Sequence, residues 1–467
     1  MPFKEKNNKR KINYPNLRNC TVAVIGLGYV GLPLALELAK RKPCFNTGKK
    51  LQRNIIGFDI NKDRIEELKK GYDRTKENIQ KNLLKVNLIK LTKNIDDIAK
   101  ADVFIVTVPT PIDEFKRPNL SPIKKASLTV SEALKRRKLI QNNSSSNTIP
   151  IIIYESTVYP GTTQEICIPL IEKESGFFCD GKKTSNSFGC GYSPERINPG
   201  DKNKNITTIV KVTSGSSYEV SKWVNDLYSS FIKAGTYMVK DIKTAEAAKI
   251  IENTQRDINI ALINELSKIF KLLEIDTLDV LDAASTKWNF LKFKPGLVGG
   301  HCIGVDPYYL THKAESIGYS PEMVLAGRRI NDGMAQWIGE QLILEMNKKN
   351  ISVSNSRILI LGFAFKENCP DVRNTKVYDL ARILKKHNLK LDIIDPWVDS
   401  KEVQNIYQIE VLNNLNSNKN YDVAISAVAH KDFIRMTIKE WEGLLKPNGI
   451  FFDLKGIIPR KLSPIRI

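Results

Sequence analysis

Short apolar runs recur through the first half of the chain and predict the buried strands of a parallel sheet. Their β-branched residues favour strands, and the helical stretches between them favour crossover connections. The runs occupy residues 20–25, 55–58, 101–108 and 151–154, with a fifth near residue 189. The pattern predicts an open α/β sheet, and such sheets hold their ligands at the carboxyl ends of the strands.

The periodicity changes near residue 244, where one long helix is predicted to run to about residue 273. Lys249 and Asn253 share one face of this helix because they are four residues apart. Segments that continue to about residue 346 complete a central helical domain. Three acidic side chains of the long helix are expected to face solvent: Glu246, Glu252 and Asp257.

The last third of the chain repeats the α/β pattern. Four apolar runs predict further strands, at residues 357–361, 391–394, 422–428 and 451–454. The predicted fold class is therefore α/β, with two Rossmann-like doubly wound domains joined by a central helical domain with a long connecting helix. The second α/β unit has no Gly-x-Gly-x-x-Gly motif, so it is expected to bind something other than a dinucleotide. Lys366 and Arg373 make a sugar nucleotide the natural candidate.

The net charge of +21 raises the question of nucleic-acid binding. The lysines are spread over both termini and several helix faces, and they are not gathered with aromatic residues on one motif. Such a distribution is typical of solvated surfaces, so no nucleic-acid partner is expected. The positive field would instead attract an anionic substrate.

Neither membrane insertion nor secretion is predicted. No apolar stretch approaches the roughly 20 residues of a membrane-spanning helix, and residues 1–19 form a basic, polar arm that is expected to be disordered. Seven cysteines without a Cys-x-x-Cys pair favour reduced thiols and a cytoplasmic location. No metal motif is visible, and no metal is expected.

The first predicted strand runs into a nucleotide-binding fingerprint, Gly26-x-Gly28-x-x-Gly31. The glycines allow a tight turn, close approach of a pyrophosphate, and close packing of helix on strand. Asp59 ends the second strand, where it is placed to bind the ribose 2'-hydroxyl. This acid favours NAD over NADP, because it would repel a 2'-phosphate. Arg64 either lines the adenosine site or is an ordinary surface arginine, and the sequence leaves both possibilities open.

Small hydroxyl residues and one glutamate follow three further strands. Pro109 and Thr110 follow the strand at 101–108, and Ser156 and Thr157 follow the strand at 151–154. Glu195 follows the run near residue 189, where it is either a helix-start carboxylate or a catalytic residue. Its position at the predicted carboxyl edge favours the catalytic role.

Cys302 lies in a glycine-rich turn, Gly299-Gly300-His301-Cys302, with Asp306 four residues further on. A hydride acceptor together with a cysteine nucleophile can oxidise an alcohol past the aldehyde, through a thioester, to an acid. For His301 we expect a steric or hydrogen-bonding role rather than general-base chemistry. The six other cysteines are expected to behave as small apolar residues.

Six motifs in fixed order span nearly the whole chain after the basic arm, and the set resembles the UDP-glucose/GDP-mannose dehydrogenase family. This resemblance implies NAD-dependent, four-electron oxidation of the C6 alcohol of a UDP-sugar to a carboxylate. The motifs are Gly26-x-Gly28-Tyr29-Val30-Gly31-Leu32-Pro33, Val108-Pro109-Thr110-Pro111, Glu155-Ser156-Thr157-Val158-x-Pro160-Gly161, Ser193-Pro194-Glu195-Arg196, Gly299-Gly300-His301-Cys302 and Gly362-x-x-Phe365-Lys366.

The resemblance also implies a role for each matching residue. Cys302 matches the nucleophile, and Asp306 matches an acid that assists proton transfer or orients Lys249. The catalytic set implied is Cys302, Lys249, Asn253, Asp306, Glu195 and Thr157. The cofactor set is Gly26, Gly28, Tyr29, Val30, Gly31, Asp59, Arg64, Pro109, Thr110, Ser156, Thr157 and Arg373. The substrate set is Glu195, Arg196, Lys249, Asn253, Phe293, Gly299, Phe365 and Lys366.

The same resemblance implies three functional domains and a preferred sugar. An NAD-binding domain at 20–240, a central domain carrying the cysteine at 241–346 and a UDP-sugar-binding domain at 347–467 are expected. The stretches 252–257, 287–290 and 301–309 are similar to the branch that oxidises UDP-N-acetylglucosamine for surface polysaccharide synthesis. UDP-N-acetylmannosamine, UDP-glucose and UDP-N-acetylgalactosamine remain alternatives.

Two further expectations follow from the family and from the long helix. Pro199 stands where the animal-type glucose enzymes carry a second glutamate, so a cofactor role for that acid is not implied here. A homo-oligomer, dimer or larger, is expected, with the long helix as its seam.

Two alternative hypotheses for the function remain beside the family assignment. One is a two-electron hydroxy-acid dehydrogenase built on similar domains, and the other is a non-catalytic NAD-sensing regulator that binds DNA.

Overall fold

The computed structural model describes residues 13–74, 88–141, 148–180, 186–197, 205–415 and 420–467. The first 12 residues of the basic arm, the loop at 142–147 and Pro199 lie outside the described residues. The chain divides into two compact units, Met1–Ile250 and Ile251–Ile467.

The described part of the first unit is built on a nine-stranded sheet in the order β3-β2-β1-β4-β5-β7-β8-β9, with β6 paired to β7. All pairs are parallel except β7 with β8. The strands are β1 (Thr21–Ile25), β2 (Asn54–Phe58), β3 (Ile89–Thr92), β4 (Val103–Val106), β5 (Ile151–Tyr154), β6 (Phe178–Cys179), β7 (Ser187–Tyr192), β8 (Lys211–Gly215) and β9 (Thr236–Met238).

Helices cover both faces of this sheet, as a parallel sheet requires. Val22 and Val24 of β1 pack into one apolar core, and the alternate residues Ala23 and Ile25 pack into a second core on the other face. The helices are α1 (Gly31–Leu38), α2 (Lys62–Lys69), α3 (Ile95–Ile98), α4 (Ser121–Gln141), α5 (Ile168–Ser175) and α6 (Tyr218–Ser229), and a π-helical turn (Thr163–Cys167) precedes α5.

One continuous helix, α7 (Ile242–Leu272), begins in the first unit and ends in the second. The expectation that its acids face solvent is wrong for Glu246 and Asp257, which are fully buried. Both carboxylates accept hydrogen bonds that replace water, although Oδ2 of Asp257 is buried without a partner among the described residues. The charge pattern of the helix could not reveal these partners, because they lie on distant segments.

The second unit contains a five-stranded, all-parallel sheet in the order β11-β10-β12-β13-β14 among the described residues. Its strands are β10 (Arg357–Leu361), β11 (Lys390–Ile394), β12 (Tyr421–Ser426), β13 (Leu445–Asp453) and β14 (Ile465–Arg466). Its helices are α8 (Thr277–Ala284), α9 (Asp306–Ser316), α10 (Glu322–Lys348), α11 (Lys376–Lys386), α12 (Ser400–Tyr407), α13 (Lys431–Ile434) and α14 (Ile438–Glu442), with a 3₁₀ turn at Arg460–Leu462.

The predicted fold class is confirmed: two α/β sheets, the first mainly and the second wholly parallel, are separated in the chain by a mainly helical segment that starts with α7. No helix in the described ranges combines the length and the apolar character needed to cross a bilayer.

Candidate active site

The glycine fingerprint forms a turn between β1 and α1 in which two positions exclude any side chain. A Cβ at Gly31 would lie 1.8 Å from the carbonyl oxygen of Gly26 and 2.4 Å from Thr107 Oγ1. Gly26 has a φ of +94°, where other residues are strained, and a Cβ there would lie 3.1 Å from the Thr107 carbonyl oxygen. A Cβ at Gly28, in contrast, would meet nothing within 4 Å. The loop therefore presents open backbone at Gly28, as close approach of a dinucleotide pyrophosphate requires.

Asp59 lies beside this turn, directly after β2. One carboxylate oxygen accepts the N–H of Leu27 at 2.8 Å, and the other accepts the N–H of Asn61 at 2.9 Å. The side chain is only half-buried, so it remains within reach of a ligand. An exposed glycine and an adjacent partly exposed carboxylate fit the phosphate and ribose of NAD.

Arg64 is 5% exposed, so the surface alternative for this residue is wrong. Its Nε donates to the Leu27 carbonyl oxygen at 2.9 Å, and its other nitrogens contact Glu67 at 2.5 Å and Asp73 at 2.7 Å. Arg64 therefore stabilises the glycine turn through the backbone of Leu27. Its contact with adenosine stays a prediction.

The other residues predicted to bind the cofactor in this unit differ in exposure. Pro109 is exposed and Ser156 is buried, with Ser156 Oγ donating to the Val108 carbonyl oxygen at 2.6 Å. This bond ties the segment after β5 to the segment after β4, both at the carboxyl edge. Tyr29, Thr110 and Thr157 are half-buried, and Val30 is buried.

Glu195 follows β7 at the carboxyl edge and is 7% exposed. Oε1 accepts the N–H of Ile197, whereas Oε2 is buried with no hydrogen-bond partner among the described residues. A buried carboxylate oxygen without a partner is costly, and such atoms occur where a substrate or water completes the site. Arg196 donates to the Val210 carbonyl oxygen at 2.8 Å.

A buried ion pair beside Glu195 was not anticipated from the sequence. Lys211 Nζ on β8 lies 2.6 Å from Glu155 Oε2, and the hydroxyl of Tyr228 donates to the other oxygen of Glu155. Burial raises the pKa of Glu155, and the Lys211 ammonium partly offsets this. The N–H of Glu195 donates to the Glu155 carbonyl oxygen at 3.4 Å. The only local signal was an acid at the end of an apolar strand.

Lys249 lies on α7 in the first unit and is 7% exposed. The described residues supply no hydrogen bond or ion pair to its ammonium group. A lysine that is largely removed from water and has no opposite charge beside it is suited to hold an anionic group of a ligand.

In the second unit, Asn253 and Asp306 are brought together with the turn of Cys302. Asn253 Nδ2 donates to Asp306 Oδ2 at 2.6 Å, and both side chains are buried. The N–H of Asp306 donates to the Cys302 carbonyl oxygen at 2.8 Å, so the turn is continuous with the start of α9. Cys302 itself is half-buried.

The two glycines before Cys302 pack against the segment that follows β10. A Cβ at Gly299 would lie 2.6 Å from the Asn374 carbonyl oxygen, and one at Gly300 (φ +89°) would lie 2.8 Å from the ring of Phe365. Lys366 Nζ lies 5.5 Å from the centre of the same ring. Two of the predicted substrate residues, Phe365 and Lys366, are thus adjacent to the Cys302 turn, and Phe293 is half-buried on its amino-terminal side.

His301 and Arg373 share Asp371. His301 Nδ1 lies 3.4 Å from Asp371 Oδ2, and Arg373 Nε lies 2.9 Å from Oδ1. Burial alone would raise the pKa of Asp371, but the bonds from Arg373 and His301 hold it well below its usual range. The predicted cofactor role of Arg373 remains untested.

A buried polar network supports the chain before the Cys302 turn, and the sequence did not reveal it. Asn264 of α7 accepts the N–H of Gly296 at 2.8 Å and donates to its carbonyl oxygen at 3.1 Å. Asn264 also contacts Asn331 of α10 at 2.8 Å, and Asn331 donates to Asp257 at 2.7 Å. Arg328 completes the network, 2.6 Å from Asp257, whose pKa burial raises despite this cation.

The second sheet carries an acid that corresponds in position to Asp59. Asp395 follows β11 and accepts the N–H groups of Phe363 and Ala364 at 2.7 and 2.8 Å. His430 Nδ1 accepts the N–H of Asn368 at 2.9 Å, so its proton is on Nε2, which lies 3.0 Å from Asp395 Oδ2. Asp395 is fully buried, unlike Asp59, because His430 closes over it.

All seven cysteines are free, and five of them are buried. Cys179 is the other half-buried thiol besides Cys302. No cluster of three or more His, Cys, Asp or Glu side chains suited to a metal ion occurs in the described ranges.

Three models of one family match consecutive parts of the chain. They are the NAD binding domain of the UDP-glucose/GDP-mannose dehydrogenase family over residues 20–232, its central domain over 243–333 and its UDP binding domain over 359–460.

Full-length relatives are also similar. The chain is 49% identical over 446 residues to the UDP-N-acetyl-D-glucosamine 6-dehydrogenase of Salmonella typhi, covering 96% of this chain and 98% of that protein. It is 49% identical over 451 residues to the enzyme of the same name from Pseudomonas aeruginosa, covering 97% and 100%. Among solved structures, the UDP-D-ManNAc dehydrogenase of Pyrococcus horikoshii matches with a TM-score of 0.79 and 26% identity, covering 94% and 96%.

Proposed function

The chain belongs to the UDP-glucose/GDP-mannose dehydrogenase family, and from this premise we propose that it oxidises UDP-N-acetylglucosamine at C6 to the uronate. The observation that carries the choice of sugar is 49% identity, over nearly the full length, to two UDP-N-acetyl-D-glucosamine 6-dehydrogenases. Residues 20–240 would bind NAD, residues 241–346 would carry the nucleophile, and residues 347–467 would bind the UDP-sugar. The product is a precursor suited to surface polysaccharide synthesis.

The first oxidation requires loss of the C6 hydroxyl proton together with a hydride. NAD, when bound at the glycine turn, would supply the hydride acceptor for this step and, after exchange, for the second oxidation. Lys249 and Asn253 of α7 stabilise negative charge that develops on the C6 oxygen. The largely buried Lys249, whose ammonium group has no ion pair among the described residues, supports this role.

Cys302 then adds to the C6 aldehyde, which forms a C–S bond and a thiohemiacetal. Loss of the second hydride converts this adduct to a thioester. Asp306, held by Asn253 beside the turn, assists the accompanying proton transfers. A cytoplasmic location agrees with the need for a reduced thiol.

Hydrolysis of the thioester releases the carboxylate and restores the thiol. We assign Glu195 as the base that takes the proton from water, with Thr157 positioning that water. The buried Oε2 of Glu195, which lacks a partner among the described residues, supports this assignment.

Purified protein incubated with NAD and each of four UDP-sugars tests the proposal. We expect turnover with UDP-N-acetylglucosamine to exceed that with UDP-N-acetylmannosamine, UDP-glucose and UDP-N-acetylgalactosamine, with two NADH formed per acid. Cys302→Ser should lose acid formation, whereas Cys179→Ser, the matched thiol control, should retain it. One NADH per product, or normal acid formation by Cys302→Ser, would refute the mechanism.

We also propose that the protein is a homo-oligomer. Ile251, Leu262 and Leu272 on α7 are all more than half exposed, and exposed apolar side chains on a long helix are typical of subunit interfaces. Sedimentation analysis of wild type and Leu262→Glu should give a dimer or larger species and a smaller species, respectively. A monomeric wild type would refute this part of the proposal.

A further inference from the structure

Glu246 joins the start of the long helix α7 to the segment that follows β5. Its carboxylate is fully buried. It accepts the N–H of Gly161 at 2.5 Å and the N–H of Thr163 at 2.9 Å. Both donors belong to the loop and π-helical turn that lead into α5, so one side chain satisfies two backbone groups of a neighbouring element.

The two segments joined in this way carry two of the proposed catalytic residues. Thr157 lies four residues before Gly161, and Lys249 lies three residues after Glu246, within one turn of helix. The other end of the Thr157 segment is fixed by the Ser156 bond to the Val108 carbonyl oxygen. The Glu246 contacts at Gly161 and Thr163 therefore fix the carboxyl-terminal end of the same loop.

We propose that Glu246 is a positioning residue, whose carboxylate holds the Lys249 turn of α7 in register with the Thr157 loop. This inference rests on the proposed function. Glu246 does not touch the reacting atoms. It acts through the placement of Thr157 and Lys249, and a displacement of about 1 Å in such groups costs on the order of 100-fold in rate.

The charged groups around Glu246 make its contacts with the loop depend on pH. Burial raises the pKa of Glu246 to about 7, the backbone N–H groups oppose the shift, and Glu165 adds to it. Glu165 is itself paired with Lys243 at 2.9 Å, and the other titratable neighbours are Tyr159, Cys167 and Cys190. The ionised carboxylate accepts both N–H groups, whereas the protonated acid has one oxygen occupied by hydrogen. The arrangement in which both oxygens accept N–H groups is therefore the major form above pH 7, although ionisation costs stability.

Glu246→Gln tests the proposal, because the amide keeps the size of the side chain but can accept only one of the two N–H groups. Glu165→Gln is the matched control: the same change at the same junction, on a half-exposed side chain. We expect kcat for Glu246→Gln to fall 10- to 100-fold at pH 8 with KM for both substrates within about threefold. The rise of kcat/KM through pH 7 should disappear. Glu165→Gln should keep the wild-type kcat at pH 8, although loss of its charge should lower the pKa of Glu246 slightly.

A second variant and a binding measurement separate positioning from a general loss of structure. Glu246→Asp retains the carboxylate, but its side chain is one methylene shorter and places the charge further from the two N–H groups. We therefore expect kcat to fall, while the pH profile keeps an ionisation from this carboxylate. Fluorescence titration should give unchanged NAD affinity for both variants. Wild-type kcat for Glu246→Gln, or a wild-type profile without an ionisation near pH 7, would overturn the proposal. Absence of wild-type turnover with every UDP-sugar would instead refute the proposed function.

Discussion

Lys211 Nζ lies 2.6 Å from Glu155 Oε2, and neither residue is more than 4% exposed. The pair is linked to Glu195 through the backbone, because the N–H of Glu195 donates to the Glu155 carbonyl oxygen. A buried ion pair adds little net stability over an apolar pair, but removal of one partner leaves a charge that water cannot reach. The pair therefore fixes the chain at Glu195 as long as both members are present.

Lys211→Met should destabilise the protein by about 3–5 kcal/mol, because it leaves the Glu155 carboxylate buried without its cation. The double variant Lys211→Met/Glu155→Gln should recover part of this loss, since the remaining group is neutral. Denaturant unfolding of the two variants and wild type measures the difference. Equal stability of the single and double variants would mean that the pair is not coupled.

Gly28→Ala should fold normally and bind NAD at least about 10-fold more weakly. A methyl group at this position meets no protein atom within 4 Å, but it occupies the space through which the pyrophosphate approaches. Thermal unfolding and fluorescence titration with NAD measure the two effects separately. Gly333→Ala is the control, because its methyl group also meets nothing and should leave NAD affinity unchanged. Unaltered affinity in Gly28→Ala would place the dinucleotide elsewhere.

His430→Ala should raise KM for the UDP-sugar roughly 10-fold and leave KM for NAD unchanged. The substitution removes the acceptor of the Asn368 N–H and the partner of Asp395, which together order the loop that carries Phe365 and Lys366. Each lost buried bond costs about 1–3 kcal/mol. Steady-state kinetics with each substrate varied provides the measurement. His387→Ala, at an exposed histidine, should have no effect, and a similar rise in both variants would refute the explanation.

The stability of the protein should fall with rising pH through the titration of Glu246. The pKa of this acid is about 7 in the folded state, against a reference value of 4.5. The folded state therefore binds this proton more tightly, and the associated stability is complete below pH 4.5 and lost as the pH approaches 7. Between pH 5 and pH 7.5 the unfolding free energy of wild type should fall by about 2 kcal/mol relative to that of Glu246→Gln. A constant difference would contradict the assigned pKa.

The sequence was most informative where function depends on neighbouring residues. The strand, glycine turn and helix at residues 20–38 form one local unit, and Asp59 ends the next strand, so spacing alone predicted their arrangement. The Cys302 turn was also apparent, because a cysteine between glycines and an aspartate is unusual in a core. The family resemblance then supplied roles that spacing could not.

The buried acids could not be predicted in this way. Asp257 is separated by 71 residues from Arg328 and by 74 residues from Asn331, and a helical charge pattern does not reveal partners so far away. Glu155 and Lys211 are likewise 56 residues apart. Without these partners in view, a charged residue on an amphipathic helix is assigned to solvent by default. Tertiary pairing therefore overrode the local pattern at Glu246 and Asp257.

The closed environment of Asp395 has a consequence for how the two α/β folds share their ligands. Both carboxylates accept backbone N–H groups at each oxygen, but Asp59 stays partly exposed to an incoming molecule, whereas Asp395 is fully buried and has a further contact to His430 Nε2. Even a large excess of NAD therefore has no second binding site at Asp395 of the carboxyl-terminal fold. Saturating NAD should therefore leave the carboxyl-terminal fold free for the UDP-sugar.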